Sequence, residues 1–140
     1  MAMRVLGIRV VTLTTGTQRA LGVIGAAAFG AGYGLAVIAG LWFPDNGALI
    51  ATLVIVGLLV GLMNLTSREI VPYLVAALAL ILIGNTQAFT ALNLTIDGLG
   101  EKLNGIVRMM AIFTAPAAVV QALRAGMLLA RPGESQDQKP

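Results

Sequence analysis

The side chains in this sequence that could do chemistry are a few amides set within long apolar segments. Asn85 and Gln87 interrupt one such segment, and Gln121 lies in the last one. Amides at such positions usually hydrogen-bond between helices, and the alternative is that they line a polar path for a solute. Asn85 and Gln87 are two positions apart and face different sides of a helix, so they do not converge on a ligand by themselves. We expect a structural role for these amides, with a polar lining as the alternative.

Several residue types that enzymes depend on are missing. The sequence contains no cysteine and no histidine, which excludes thiolate nucleophiles, zinc sites built on those residues and imidazole acid–base chemistry. No acidic residue falls inside a predicted apolar segment, and this disfavours proton-coupled antiport. Paired general acid and base groups are not expected near any pocket. We therefore predict a protein that is not an enzyme and that has no catalytic residue, cofactor or metal.

The composition predicts that lipid, rather than water, surrounds most of the chain. Of the 140 residues, 58% are hydrophobic and 11% are charged, and the mean hydropathy is +0.91. A soluble domain has about 25% charged residues, so this chain cannot cover an ordinary water-facing surface. The net charge is +3, but the basic residues form no stripe that could follow a phosphate backbone, so nucleic acid is not an expected partner.

Four apolar segments are long enough to be read as membrane spans. Backbone polar groups have no hydrogen-bond partner in hydrocarbon, so each span is expected to be helical. Short connections between the segments imply antiparallel neighbours, and the predicted fold is an all-α, integral membrane, up-and-down four-helix transmembrane bundle. The predicted spans are residues 20–43, 48–65, 72–92 and 104–130.

The distribution of basic residues predicts an orientation. Four spans bring both termini to one side of the membrane, and most of the Lys and Arg residues fall on that side. Because cytoplasmic loops are enriched in Lys and Arg, we expect a multi-pass protein of the cell membrane with cytoplasmic N- and C-termini. The basic residues on the terminal side are Arg4, Arg9, Arg19, Arg68, Arg124, Arg131 and Lys139, and those on the other side are Lys102 and Arg108.

The charged turn between the second and third spans has two interpretations. Thr66 and Glu69 fit the capping-box spacing, and Pro72 suits the first turn of a helix. We expect a hydrated hairpin at the cytoplasmic surface. The alternative is an ion pair between Glu69 and Arg124, because Arg124 lies near the cytoplasmic end of the fourth span and leans inward.

Rows of small residues predict close helix packing. Small residues spaced four apart let membrane helices approach closely, and the sequence leaves open whether the partner helix belongs to the same chain or to another copy. The candidate packing seams are Gly22, Ala26, Gly30 and Gly34 on the first helix, with Gly57 and Gly61 on the second.

The two ends of the chain differ from the spans in composition. Residues 1–19 are rich in Val, Ile and Thr, which favours an extended interfacial arm over a stable helix. Residues 132–140 have the composition of a disordered polar tail.

Two segments carry a resemblance to known proteins. Residues 57–84 hold a glycine-bearing span that ends in Asn-x-Thr and is followed by an acidic residue, a proline and Leu-Val-Ala-Ala; residues 111–126 hold Ala-Pro-Ala-Ala. In these features the chain resembles a group of small four-span prokaryotic integral membrane proteins of unknown function. The resemblance implies a prokaryotic source and carries no activity.

These observations favour a non-enzymatic membrane protein. The leading hypothesis is a self-associating structural component or an accessory subunit of a larger membrane complex, since small-residue seams are present and the short loops leave little room for a soluble site. The partners would be the lipid bilayer and further copies or other subunits. The alternative is a small oligomeric channel or transporter, or a holin-like pore former.

Overall fold

The computed structural model describes residues 2–63 and 70–130, with side chains described from residue 16 onward except at 18 and 21. The described residues are helical and contain no strand, which confirms the all-α prediction. A short 3₁₀ helix, Thr90–Leu94, lies between the third and fourth α-helices. The α-helices are α1, Ala2–Trp42; α2, Gly47–Met63; α3, Ile70–Thr86; and α4, Leu99–Leu129.

Helix α4 is at the centre of the helix packing. It packs against α1, α2 and α3, and α1 also packs against α2. Within the described ranges the backbones of α2 and α3 do not approach each other, so these two consecutive helices are not the neighbours that their short connection implies. The six residues between Met63 and Ile70 reach about 20 Å when extended. That is about two helix–helix spacings, enough for a connection between helices that flank a third.

Two of the helical segments are long and apolar enough to cross a membrane, namely Gly22–Trp42 with 21 residues and Leu99–Leu129 with 31. Helices α2 and α3 are apolar but have 17 residues each. Helix α3 stops at Thr86, short of the predicted residue 92, because Gln87 adopts a left-handed backbone conformation with φ of 49°. A residue in that conformation ends a helix.

The structure has helix at the N-terminus and not the extended conformation expected for residues 1–19. Helix α1 begins at Ala2 and runs without a break to Trp42. Thr, Val and Ile cost at most about 0.7 kcal/mol each in a helix, and extending an existing helix needs no new nucleus. The helix formed by the apolar half of α1 therefore extends through the preceding segment, although the composition of that segment alone favours strand.

The start of α4 lies five residues before the predicted span, at Leu99. Gly98 precedes it with φ of 76°, a left-handed value that glycine adopts without steric cost. Further along, α4 continues through Pro116. The proline ring lies against Gly57 of α2, where a side chain would have no room.

The core is thin and centred on α4. Phe113 and Met109 of α4 are fully buried, together with Leu53 of α2. The Phe113 ring packs against Gly32 and forms an edge contact with Tyr33, whose centroid is 5.2 Å away. Outside this core the helices expose large apolar side chains, including Val71, Val75, Leu78 and Leu82 along one face of α3.

Candidate functional site

A polar pocket lies between the α1–α2 connection, the α3–α4 connection and the start of α4. It has a volume of about 400 Å³ and is lined by the turn that follows α1, the end of α3, the 3₁₀ helix and the start of α4. Its charged side chains are Asp45, Glu101 and Arg108. Its uncharged polar side chains are Asn85, Gln87, Thr90, Asn93 and Asn104.

The local sequence fixes Asp45 at the edge of this pocket. Asn46 follows it, and the Asn46 Oδ1 atom accepts hydrogen bonds from the backbone N–H groups of Ala48 at 3.0 Å and Leu49 at 3.4 Å. This is the N-cap arrangement that satisfies free N–H groups at a helix start. The turn before α2 is therefore anchored, and Asp45 is held one residue before the cap.

Side-chain amides attach the α3–α4 connection to α4. The Asn104 Oδ1 atom accepts from the Phe89 backbone N–H at 3.0 Å, and its Nδ2 group donates to Thr90 Oγ1 at 3.1 Å. The Asn93 Oδ1 atom accepts from the Gly100 N–H at 2.7 Å. The side chains of these two asparagines form hydrogen bonds within the fold, so their role is to shape the pocket wall.

The floor of the pocket is made where helices cross at glycine. A Cβ atom on Gly105 of α4 would lie 2.5 Å from the Gly40 carbonyl oxygen of α1. A Cβ atom on Gly84 of α3 would lie 2.7 Å from the Ala111 Cβ atom of α4. Both distances are shorter than any normal contact between heavy atoms. Glycine is therefore required at positions 84 and 105 for α3 and α1 to pack against α4 beneath the pocket.

The charges of the pocket are open to water. Arg108 Nη1 and Asp45 Oδ1 are 3.3 Å apart, and the two side chains are 51% and 87% exposed. An ion pair this exposed contributes between about 0 and 1 kcal/mol. Glu101 has no ion-pair partner among the described residues. Two carboxylates and one guanidinium leave the pocket with one negative charge in excess.

Asn85 and Gln87 both line this pocket, although their spacing places them on different faces of a helix. The helical rule does not apply to them because α3 ends at Thr86 and Gln87 is left-handed. Asn85 Nδ2 donates to the Ile81 carbonyl at 2.9 Å. The Asn85 Oδ1 atom has no hydrogen-bond partner among the described residues.

Gln121 lies elsewhere, fully buried between α2 and α4. Its Nε2 group donates to the Gly61 carbonyl oxygen, and its Oε1 atom has no partner among the described residues. The hydrogen bond to Gly61 joins two helices of one chain. Gln121 is not part of the pocket wall.

The two predicted packing seams face different surroundings. Gly57 and Gly61 of α2 are buried against α4, and a Cβ atom on Gly61 would lie 2.6 Å from the Ala117 Cα atom. On α1 the whole row is exposed. Nothing lies within 4 Å of a Cβ atom placed on any of its glycines. The exposed row, called the α1 row below, consists of Gly22, Ala26, Gly30 and Gly34.

The predicted pair of Glu69 with Arg124 stays a prediction, because Glu69 lies outside the described residues. Sequence reasoning missed the grouping of Asp45 with Glu101 and Arg108. One signal for it was available: Glu101, Asn104 and Arg108 are spaced three and four apart, which puts them on one face of a helix. The contribution of Asp45 depends on the crossing of α1 with α4, which no local pattern encodes.

Comparison of this chain with protein-family models, with curated proteins and with solved structures finds no match in any of the three.

Proposed function

We propose that this chain is a four-span integral membrane protein that self-associates through the α1 row as a non-enzymatic structural component or accessory subunit of a membrane complex. The observation that carries the proposal is the α1 row itself. It combines helix-packing residues with the absence of any packed neighbour among the described residues.

The exposed surface supports the membrane location. Large apolar side chains such as Val23, Leu78 and Leu123 are 70%, 59% and 64% exposed, and an apolar surface of this kind is stable against hydrocarbon but not against water. Helices of 17 residues are about 25 Å long and reach the lower limit for a membrane span. Trp42, 64% exposed at the end of α1, has the position of an interfacial anchor.

The shape of the α1 row supports the proposed self-association. Inside the chain, Gly57 and Gly61 let α2 approach the α4 backbone at Phe113 and Ala117. The α1 row offers the same close approach to an outside helix. A second copy presents an identical row, so a parallel pair of α1 helices related by a two-fold axis is self-complementary.

The pocket does not favour catalysis or a pore. Asp45 and Glu101 line it together, but both are exposed, and neither is buried as carboxyl groups that act in acid–base catalysis usually are. Asn85 and Gln87 lie at one end of the bundle, whereas Gln121 is buried against α2. The three amides therefore do not form one continuous polar path.

The test uses two alanines of α1 as a matched pair. Ala26 belongs to the α1 row, whereas Ala31 is also exposed but lies about 140° around the helix from Ala26. Ala26→Leu is expected to shift the detergent-solubilised protein to the monomer, and Ala31→Leu is expected to leave the oligomer intact. Analytical ultracentrifugation measures both.

Crosslinking provides the second readout, because the chain has no cysteine. Ala26→Cys is expected to form a disulfide-linked dimer on mild oxidation in membranes, and Ala31→Cys is expected to remain monomeric. Equal crosslinking of the two variants, or an unchanged mass for Ala26→Leu, would contradict self-association through this row.

A further inference from the structure

We infer that the polar pocket binds an aminophosphate zwitterion, a phosphate ester that carries a primary ammonium group. Arg108 would hold the phosphate, and Glu101 with Asn85 would hold the ammonium. The head group of phosphatidylethanolamine and free phosphoethanolamine share this chemistry. The lipid is the source that the site favours, and that part of the inference rests on the proposed membrane location.

The phosphate position follows from the free donors of Arg108. Among the described residues only its Nη1 group is engaged, with Asp45 at 3.3 Å. The rest of the guanidinium has no partner among the described residues. A guanidinium presents its N–H groups as a rigid fork that matches phosphate oxygens, and such charge-assisted bonds are about twice as strong as neutral ones.

The ammonium position follows from the free acceptors of the pocket. Glu101 has no ion-pair partner among the described residues, and Asn85 turns its Nδ2 group to the Ile81 carbonyl. The Glu101 carboxylate and the Asn85 Oδ1 atom thus remain as acceptors. A primary ammonium has three N–H donors that can use them. A quaternary ammonium has none, so the pocket distinguishes ethanolamine from choline.

The spacing of the charges allows one ligand to reach both. Glu101 and Arg108 are seven positions apart on α4, which is two turns and about 10.5 Å along one face of the helix. Gly105 lies between them and adds no side chain to the pocket floor. The volume of about 400 Å³ is within the range of small-molecule sites.

The surroundings of the pocket favour a lipid as the source. Trp42 and Phe43, 64% and 55% exposed, directly precede the pocket residues Pro44 and Asp45. Leu94, 92% exposed, follows the pocket residue Asn93. Exposed apolar side chains next to polar ones are typical of the level at which hydrocarbon meets lipid head groups.

Trp42 provides the assay, because it is the one tryptophan of the sequence. The full chain is reconstituted in phosphatidylcholine vesicles, and brominated phosphatidylethanolamine or brominated phosphatidylcholine is added in steps as a quencher. We expect half-maximal quenching of Trp42 at about fivefold lower mole fraction of the ethanolamine lipid than of the choline lipid, which corresponds to roughly 1 kcal/mol of charge-assisted hydrogen bonding.

Variants assign the preference to the pocket. Glu101→Gln and Arg108→Gln are expected to bring the two quenching curves together. Asp97→Asn removes an exposed carboxylate from the same connection but not from the pocket wall, and it is expected to keep the fivefold difference. Loss of the difference in Asp97→Asn alone would overturn the assignment.

The remaining outcomes separate the sources and the proposals. Displacement of the brominated ethanolamine lipid by soluble phosphoethanolamine would support the zwitterion site. Binding of soluble phosphoethanolamine without binding of that lipid would also support the site, and would identify a soluble source. Equal quenching by both lipids with no effect of phosphoethanolamine overturns the inference. Absence of quenching by any brominated lipid contradicts the membrane location itself. The Ala26→Leu variant, which is expected to be a monomer, separates binding at the pocket from self-association.

Discussion

Gly40 of α1 and Gly105 of α4 cross so closely that a Cβ atom on Gly105 would lie 2.5 Å from the Gly40 carbonyl oxygen. The nearest atoms at this crossing are backbone atoms, which cannot move aside as a flexible side chain would. The crossing therefore fixes the distance between the α1–α2 turn and the start of α4. It also holds Asp45 beside Arg108 at the pocket.

This contact predicts opposite effects for two glycine-to-alanine changes. Gly105→Ala is expected to lower the free energy of unfolding by about 1–3 kcal/mol, because the added methyl group forces the helices apart. Gly16→Ala meets no atom within 4 Å and replaces glycine in helix α1, outside the α1 row, by a better helix former, so it is expected to be neutral or to stabilise by up to about 1 kcal/mol. Unfolding in detergent, followed by circular dichroism, compares them. Equal midpoints would contradict the close crossing.

The two tyrosines provide a second matched pair of variants. Thr114 Oγ1 donates to the Met110 carbonyl at 2.7 Å, so its single proton is used and Tyr33 donates to Thr114 at 2.7 Å. Tyr33→Phe is expected to cost about 0.5–1.5 kcal/mol. The Tyr73 hydroxyl is buried with no partner among the described residues, so Tyr73→Phe is expected to be neutral or stabilising.

The comparison of these two variants has its own control. In a double-mutant cycle, the Thr114→Val substitution is expected to remove the difference in stability between tyrosine and phenylalanine at position 33. A greater loss of stability from Tyr73→Phe than from Tyr33→Phe would contradict the hydrogen-bond assignment.

The environment of Gln121 predicts how substitutions at this position change the stability of the α2–α4 contact. Its Nε2 group bonds the Gly61 carbonyl, but its Oε1 atom is buried without a partner among the described residues. A hydrogen bond between membrane helices contributes about 0.6 kcal/mol, whereas an unsatisfied buried acceptor costs about 1–3 kcal/mol. Gln121→Met is therefore expected to raise the unfolding midpoint, and Gln121→Glu to lower it. Solute flux in liposomes that responds to Gln121→Met would instead support a pore lining.

The sequence was sufficient to predict the helices and insufficient to predict their packing. Uninterrupted apolar segments identify α2 and α4 within a few residues, because a helix needs only local hydrogen bonds. The end of α3 was missed because Gln87 adopts a left-handed conformation that its residue type does not require. The helical start of α1 was missed because strand propensity depends on context that a single segment lacks.

The pocket was beyond local reasoning for a different reason. Asp45 and Arg108 are 63 positions apart, and only the crossing at Gly40 and Gly105 brings them together. The same holds for the seams: Gly57 and the α1 row have the same spacing, yet one faces α4 and the other faces outward. Spacing identifies a packing surface, and the topology decides which helix covers it.

The number of membrane crossings is the central claim, and cysteine labelling tests it most directly because the chain has no cysteine of its own. Thr95→Cys, Ser67→Cys and Ser135→Cys are each expressed in bacterial cells and treated with a membrane-impermeant maleimide before and after permeabilisation. Four spans with cytoplasmic termini predict that Thr95→Cys is labelled in intact cells, and that Ser67→Cys and Ser135→Cys are labelled only after permeabilisation. Labelling of Ser67→Cys in intact cells, or of Thr95→Cys only after permeabilisation, would contradict the four-span account.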